Sequence, residues 1–185
     1  MQWNIPGTVI PADTGETDKL QEKFDAMFLG GGIVLSQVAA ITGLEPYAIQ
    51  NWVKRGFLPK PVNKKYSLRQ LCRILNINML KDALRMEQIC GLLTYINGDL
   101  DDESDDLIDD SKLYFMFLQL AAQHRQMNDP SGRDVCIRQA LENYDEPMPG
   151  ARERVEKVLK VMLTAWAAAL LRQQAVAMTE EFNKD

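Results

Sequence analysis

The most informative stretch of the chain reads Ile49-Gln50-Asn51-Trp52-Val53-Lys54-Arg55-Gly56-Phe57-Leu58-Pro59. Ile49, Trp52 and Val53 recur at helical spacing and form one apolar face, which leaves polar side chains on the other. Pro46 suits the first turn of a helix, and the glycine after Arg55 can stop it. The stretch therefore predicts an amphipathic helix that begins at Pro46 and ends near Arg55.

A second helix is expected just before this one. Ser36 can act as its N-cap, and Gly43 can supply the left-handed residue of a tight turn after Thr42. Two helices joined by a turn of about three residues that contains glycine are typical of a helix-turn-helix. Beyond Leu58 the sequence is too rich in proline and lysine for a helix, so residues 59–66 are expected to form an extended basic loop.

More helices are expected after the loop. Ser67, followed three residues later by Gln70, is a capping-box pattern that opens the first of them. The next is expected to end at Asn97-Gly98, where the glycine can adopt the left-handed conformation. Ser111 is expected to cap a helix that reaches about Gln126, and another helix follows. The sequence therefore predicts a mostly α-helical protein.

The net charge of -5 conceals a strong asymmetry along the chain. Residues 35–98 contain nine bases and three acids, whereas residues 99–110 contain eight acids and no base. A compact basic segment favours a polyanionic partner, although a solvated basic face without a partner is the alternative. The acidic segment, residues 99–110, is expected to be loose because like charges repel each other. Its alternating acids suggest calcium, but Ser104 stands where a calcium loop needs glycine.

The basic segment resembles the DNA-binding domain of MerR-type regulators. The matching residues are Val38-Ala39, Thr42-Gly43-Leu44, Ile49, Trp52, Gly56-Phe57-Leu58, Pro61 and Lys65-Tyr66-Ser67. The chain resembles more closely still a bacterial family of unknown function with a similar helix, a Lys-Lys-Tyr-Ser wing and a trailing helical segment. The MerR resemblance implies that helix 46–55 enters the major groove, while residues 59–66 form a wing against the neighbouring backbone or minor groove.

The resemblance and the charge together indicate double-stranded DNA as the partner. Gln50 stands where MerR-type proteins usually have a phosphate-binding arginine, and Asn51 where they usually have a tyrosine. Both side chains can still hydrogen-bond phosphate or pair with adenine. Trp52 and Tyr66 are expected to pack in the core. The candidate DNA-binding residues are Tyr47, Gln50, Asn51, Lys54, Arg55, Lys60, Lys64 and Lys65.

We thus predict an N-terminal helical arm (1–34), a MerR-like winged helix-turn-helix (35–98), an acidic linker (99–110) and a C-terminal helical domain (111–185). The longest helix, from Ala151 to about Phe182, is apolar on so broad a front that its own bundle and a second subunit would be needed to cover it. A homodimer through the C-terminal helices is therefore expected, and it fits two-fold operators.

Three other readings stay open. The scaffold could serve as a protein-interaction module that uses Tyr47, Gln50 and the acidic segment. It could also belong to a ligand-sensing helical protein, with a small-molecule effector among aromatic side chains that are more often simply core. Finally, the acidic segment could compete with DNA for the wing. The aromatic side chains in question are Tyr114, Phe115, Phe117 and Trp166.

Several classes of function find no signature in the sequence. There is no nucleophile motif, no histidine near a reactive cysteine and no glycine-rich phosphate loop, so an enzyme is not expected. No cofactor or metal site is expected, since the three cysteines lie far apart. Without a signal peptide or a long apolar run, the protein is expected to be cytoplasmic and to have no membrane partner.

Overall fold

The computed structural model describes residues 2–124 and 130–182 and is mostly helical, as predicted. Its helices are α1 (Thr17–Phe28), α2 (Leu35–Thr42), α3 (Pro46–Lys54), α4 (Leu68–Leu80), α5 (Met86–Asn97), α6 (Asp110–His124), α7 (Pro130–Ala140) and α8 (Ala151–Glu181). Its strands are β1 (Gln2–Asn4), β2 (Pro11–Asp13), β3 (Ile33–Val34) and β4 (Lys65–Tyr66). β1 pairs with β2 and β3 with β4, both antiparallel.

The N-terminal β1–β2 hairpin is a feature that sequence reasoning missed. Trp3 and Ile5 are buried, and the ring of Trp3 meets the ring of Trp166 in α8 edge to face, with centroids 6.1 Å apart. Tyr114 of α6 donates its hydroxyl hydrogen to the carbonyl oxygen of Pro6 at 2.8 Å. The start of the chain is therefore packed into the core and is not purely helical.

α4 is the central helix of the protein. It contacts α1, α2, α5, α6 and α8, and every residue from Gln70 to Ile77 is buried. Arg73 and Asn76 lie within this buried stretch. Because buried polar groups need partners, these side chains must find acceptors or charges inside the fold. Their partners shape the candidate site described below.

Two predicted helix starts are wrong, and both errors concern the capping residue. α2 begins at Leu35, and the side-chain oxygen of Gln37 accepts a hydrogen bond from the Val34 N–H at 2.9 Å. α6 begins at Asp110, where Oδ1 of Asp109 accepts from the Ser111 N–H at 2.7 Å. Ser36 and Ser111 are thus not the caps. The predicted end of α6, at about Gln126, lies outside the described residues.

Other local predictions are confirmed. Ser67 and Gln70 form the expected capping box, with backbone N–H to side-chain distances of 2.9 and 3.2 Å. α8 ends within one residue of the predicted Phe182. The aromatic set of α6 and α8 is buried and belongs to the core.

Buried side chains from the N-terminal, basic, acidic and C-terminal segments all belong to one core. The division into four segments therefore stays a prediction from composition and charge. Among the described residues, no helix combines the length and the apolar character that crossing a bilayer requires.

Candidate nucleic-acid interface

α2 and α3 are joined by a three-residue turn. Gly43 has φ 70 and ψ 9, which is the left-handed conformation expected there. The side-chain oxygen of Thr42 accepts a hydrogen bond from the Leu44 N–H at 3.2 Å and so stabilises the turn. Val38 of α2 and Ile49 of α3 are both fully buried, which fixes each helix against the core.

One face of α3 is exposed along its whole length. Ile49 and Trp52 hold the opposite face in the core, as predicted for Trp52. The exposed side chains follow the spacing i, i+3, i+4, i+7, so they lie on a single helix face. The first of them, Tyr47, is 72% exposed. This face consists of Tyr47, Gln50, Asn51 and Lys54.

The wing, residues 59–66, contains a tight hairpin. The Lys65 N–H donates to the carbonyl oxygen of Val62 at 2.9 Å, and the two residues form an antiparallel bridge. Asn63 and Lys64 both have positive φ, 51 and 63, which is the signature of a type I′ turn. Tyr66 is buried, as predicted, and pairs with β3. The tip of the wing therefore presents Lys64 to solvent.

Side chains of α4 hold the base of the wing. Nε2 of Gln70 donates to the carbonyl oxygens of Lys60 at 2.9 Å and of Pro59 at 3.3 Å. Nε of Arg73 donates to the carbonyl oxygen of Phe57 at 3.2 Å. Because these donors come from the central helix, the wing has a defined position relative to the core.

Two of the five predicted cations have neighbours within the protein. The guanidinium of Arg55 lies 3.9 Å from a carboxylate oxygen of Glu87 and 4.6 Å from the centre of the Phe57 ring. Nζ of Lys65 donates to the carbonyl oxygen of Gly30 at 3.3 Å. Both side chains are still exposed, but their contacts reduce the freedom with which they could reach a phosphate.

The other three cations are Lys54, Lys60 and Lys64. All three are exposed, and in residues 2–124 and 130–182 no carboxylate oxygen lies within the 4.0 Å of an ion pair with them. An exposed ammonium group without a carboxylate partner can bind phosphate without first breaking an ion pair. These three lysines are the strongest electrostatic part of the candidate interface.

Arg69 of α4, which sequence reasoning did not single out, holds the acidic segment against the basic one. Its guanidinium lies 2.9 Å from Glu103 and 2.6 Å from Asp106. At longer range it lies 3.8 Å from Asp109 and 3.7 Å from Asp110. The expectation that the acidic segment is loose is therefore wrong, because a shared cation offsets the repulsion among its carboxylates.

A second arginine forms a buried ion pair. Nη1 of Arg73 lies 3.3 Å from Oδ2 of Asp110, and the two side chains are 4% and 1% exposed. Asn76 donates to the backbone oxygen of Asp110 at 3.4 Å. Burial raises the pKa of Asp110, while the charges of Arg73 and Arg69 oppose this shift. Taking one partner away would leave a buried charge uncompensated.

Asp106 carries the clearest pKa shift of the acidic segment. Burial raises its pKa from 3.8 to about 6, against the opposing charge of Arg69, and Asp110 raises it further. Oδ1 of Asp106 is buried and has no hydrogen-bond partner among the described residues. This carboxyl group therefore takes up a proton more readily than an ordinary aspartate.

These ion pairs reduce the number of positive charges in the basic segment that are available to a partner. Arg55 lies 3.9 Å from Glu87. Two further bases, Arg69 and Arg73, face carboxylates of the acidic segment, so six of the nine bases form no ion pair within the described residues. A signal for this was present in the sequence, because both arginines lie within the apolar pattern of α4, and a buried arginine is almost always paired. Segment sums of charge do not register such pairing.

Part of the acidic segment borders the wing. A groove of about 800 Å³ is lined by Lys60 and Lys65 of the wing and by Asp101 and Glu103 of the acidic segment. Arg69 also lines it. We call this feature the wing groove.

Within the described part of the chain, no three His, Cys, Asp or Glu side chains form a group that could hold a metal ion, so the calcium reading gains no support.

Comparison with known proteins gives a family match without a function. A family model described as "Domain of unknown function (DUF1836)" matches residues 34–117, across the predicted boundaries at 98 and 110. A Bacillus subtilis (strain 168) protein named "Uncharacterized protein YkrK" is 27% identical over 144 residues, which cover 76% of this chain. The chain spans only 60% of that relative's length. No solved structure matches the chain.

The comparisons confirm the resemblance to a family of unknown function and leave the MerR-type resemblance without support. Since neither match carries a described activity, the function must be argued from the surface of the protein itself.

Proposed function

We propose that the protein is a DNA-binding transcriptional regulator of the winged helix-turn-helix type, which contacts duplex DNA with the exposed face of α3 and with the wing. The observation that carries this proposal is the combination of a polar helix face with three lysines that have no carboxylate partner among the described residues. A single exposed helix fits the major groove, and neighbouring lysines fit the phosphates on either side.

The residues would have different roles in such a complex. Gln50 and Asn51 lie in the middle of the α3 face, where amide side chains can pair with adenine or hydrogen-bond phosphate. Lys54 follows them on the same face. Lys60 and Lys64 would meet the backbone beside the groove. The arrangement thus separates base contacts on the helix from phosphate contacts on the wing.

The proposed regulator is a homodimer, and α8 offers the surface for a second copy. Every residue from Leu171 to Glu180 is exposed, although an isolated helical segment of this length is marginally stable in water. Exposed residues also recur along α8 at alternating intervals of three and four, which is the spacing that pairs helices. This stripe consists of Val161, Thr164, Ala168, Leu171, Ala175, Met178 and Phe182.

A second copy is the occupant we favour because it would bring the same stripe. A two-fold dimer places two identical apolar stripes together and two α3 helices on one duplex. Light scattering should give twice the chain mass for the parent protein. We expect the L171E/M178E variant to be monomeric and the Q173E/Q174E variant, changed off the stripe, to remain dimeric. A monomeric parent at high protein concentration would remove the dimer from the proposal.

DNA binding itself is tested by fluorescence anisotropy with a labelled random-sequence duplex at low salt. We expect binding that weakens with salt, with a log–log slope of about -0.9 for each phosphate contact. K54Q/K60Q/K64Q should bind more weakly and with a shallower slope. The matched control, K19Q/K23Q/K157Q, removes the same charge outside the proposed interface and should bind like the parent.

Absence of binding by the folded parent at low salt would contradict the proposal. The protein-interaction reading, with Tyr47 at the centre of the contact, would then be the better one.

A further inference from the structure

The wing groove brings together lysines and carboxylates that do not pair with each other. Lys60 and Lys65 line it together with Asp101 and Glu103, yet among the described residues neither lysine forms an ion pair within 4.0 Å. The groove is open and large enough, at about 800 Å³, to admit a phosphate group with its water. A phosphate that approaches these lysines must therefore also approach the two carboxylates.

Most acids of the segment are engaged in holding its own fold. Asp106, Asp109 and Asp110 face Arg69 or Arg73. Asp99, Asp102 and Asp105 accept hydrogen bonds from nearby backbone N–H groups.

Asp101 and Glu103 are different from these acids. Asp101 is exposed, and within the described residues its carboxylate forms no ion pair. The Glu103 side chain is 77% exposed and reaches Nη1 of Arg69 at 2.9 Å. Because the Glu103 carboxylate is largely hydrated, its ion pair with Arg69 contributes little to stability. These two carboxylates can thus be neutralised without unfolding the segment, and they are the two acidic side chains in the lining of the groove.

We propose that Asp101 and Glu103 act as an electrostatic gate on the wing groove, which lowers the affinity of the wing for the phosphate backbone of duplex DNA. This inference rests on the proposed function, because it assumes that the wing meets phosphate. The carboxylates repel an incoming phosphate, and Glu103 also occupies a donor of Arg69 that a phosphate could use. The affinity of the wing groove for phosphate therefore depends on the balance between its lysines and its two carboxylates.

The gate has a salt signature of its own. Repulsion between exposed charges fades within a Debye length, about 10 Å at 0.1 M salt, so added salt relieves the gate while it weakens the lysine contacts. Neutralising the two acids should therefore steepen the salt dependence. A change that merely altered the fold of the segment would have no reason to act in this way.

The experiment compares the full chain with its D101N/E103Q variant by anisotropy with the same random-sequence duplex at several salt concentrations. We expect about three- to tenfold tighter binding at 50 mM salt, shrinking towards no difference near 0.5 M. E103Q alone should give a larger gain than D101N alone, because it also replaces the charged partner of Arg69 Nη1 with a neutral amide that a phosphate can displace more easily. Unfolding in urea should be close to that of the parent, which shows that the segment still folds.

The matched control is E22Q/E142Q, which makes the same change in net charge at exposed positions outside the groove. If D101N/E103Q and this control give the same affinity, the gate is disproved and the proposed function stands. If the parent and D101N/E103Q both fail to bind duplex at low salt, the gate and the proposed function are both overturned.

Discussion

The arginines of α4 and the lysines of α3 and the wing lie in the same basic segment but have opposite surroundings. Arg69 and Arg73 are 16% and 4% exposed, and each faces at least one carboxylate. Lys54, Lys60 and Lys64 are exposed and unpaired within the described residues. The arginines bind one part of the chain to another, whereas the lysines remain available to a partner.

The chemistry of the two side chains explains this division. A guanidinium is planar, weakly hydrated and carries five donors, so Arg69 can serve several carboxylates at once. An ammonium is compact and strongly hydrated, which favours an exposed position. Positive charge in a sequence is thus better evidence for a nucleic-acid surface when it comes from lysines outside the apolar pattern than from arginines inside it.

The largest effect is expected from breaking the buried pair. R73M leaves Asp110 without its closest cation and removes the hydrogen bond that Nε of Arg73 donates to the Phe57 carbonyl oxygen. The free energy of unfolding should therefore fall by about 3–5 kcal/mol. K54M, in the exposed set, should change it by less than about 0.5 kcal/mol. Urea unfolding of both variants measures this contrast. Equal stability of the two would show that the arginines are not structural.

A smaller loss is expected from R69K, which keeps the charge of Arg69 but not its forked geometry. Lysine cannot donate to Glu103 and Asp106 in parallel, so we expect a loss of about 1–2 kcal/mol in the free energy of unfolding. The reciprocal change K54R should leave stability as it is. A fully stable R69K protein would mean that the positive charge alone holds the acidic segment.

The raised pKa of Asp106, which faces Arg69, predicts that the free energy of unfolding depends on pH. The exposed lysines should not contribute to this dependence. Because its folded pKa is about 6 and its ordinary value is 3.8, the folded protein holds an extra proton between these values. The contribution of Asp106 to the free energy of unfolding is therefore fully present below about pH 4 and is lost as the pH rises through about 6. Urea midpoints at pH 5 and pH 7.5 should differ less in D106N than in the parent. An identical pH dependence in both proteins would refute the shift.

The smallest effect concerns Lys64 at the tip of the wing. Its φ of 63 favours glycine, so K64G should keep or raise stability by up to about 1 kcal/mol. K64Q removes the same charge without relieving the backbone. Both variants should lose one phosphate contact, seen as a salt slope about 0.9 shallower, while only K64G gains stability. Unchanged DNA affinity in both would remove Lys64 from the interface.

Features set by neighbours in sequence were predictable. The capping box of Ser67 and Gln70, the left-handed Gly43 and the exposed face of α3 each depend on residues within two helical turns. The periodicity of side chains records such features directly. The polar face of α3 could therefore be predicted from the sequence alone.

Features set by distant residues were not predictable in the same way. Trp3 packs against Trp166, and Arg69 meets an acidic segment that begins some thirty residues later. Local periodicity does not show which distant residues meet, and like-charge repulsion alone suggested the wrong outcome for residues 99–110. The wing groove, which needs both segments in place, could only be found in three dimensions.

The most direct test is photo-crosslinking to duplex DNA from chosen positions of the full chain. A photoreactive phenylalanine analogue replaces Gln50 on α3 or Lys64 on the wing, and Arg138 on α7 serves as the exposed control position. We expect crosslinks to the duplex from positions 50 and 64 that disappear at high salt, and none from position 138. Crosslinking from position 138 alone, or from none of the three at low salt, would contradict the assignment of α3 and the wing as the DNA-binding surface.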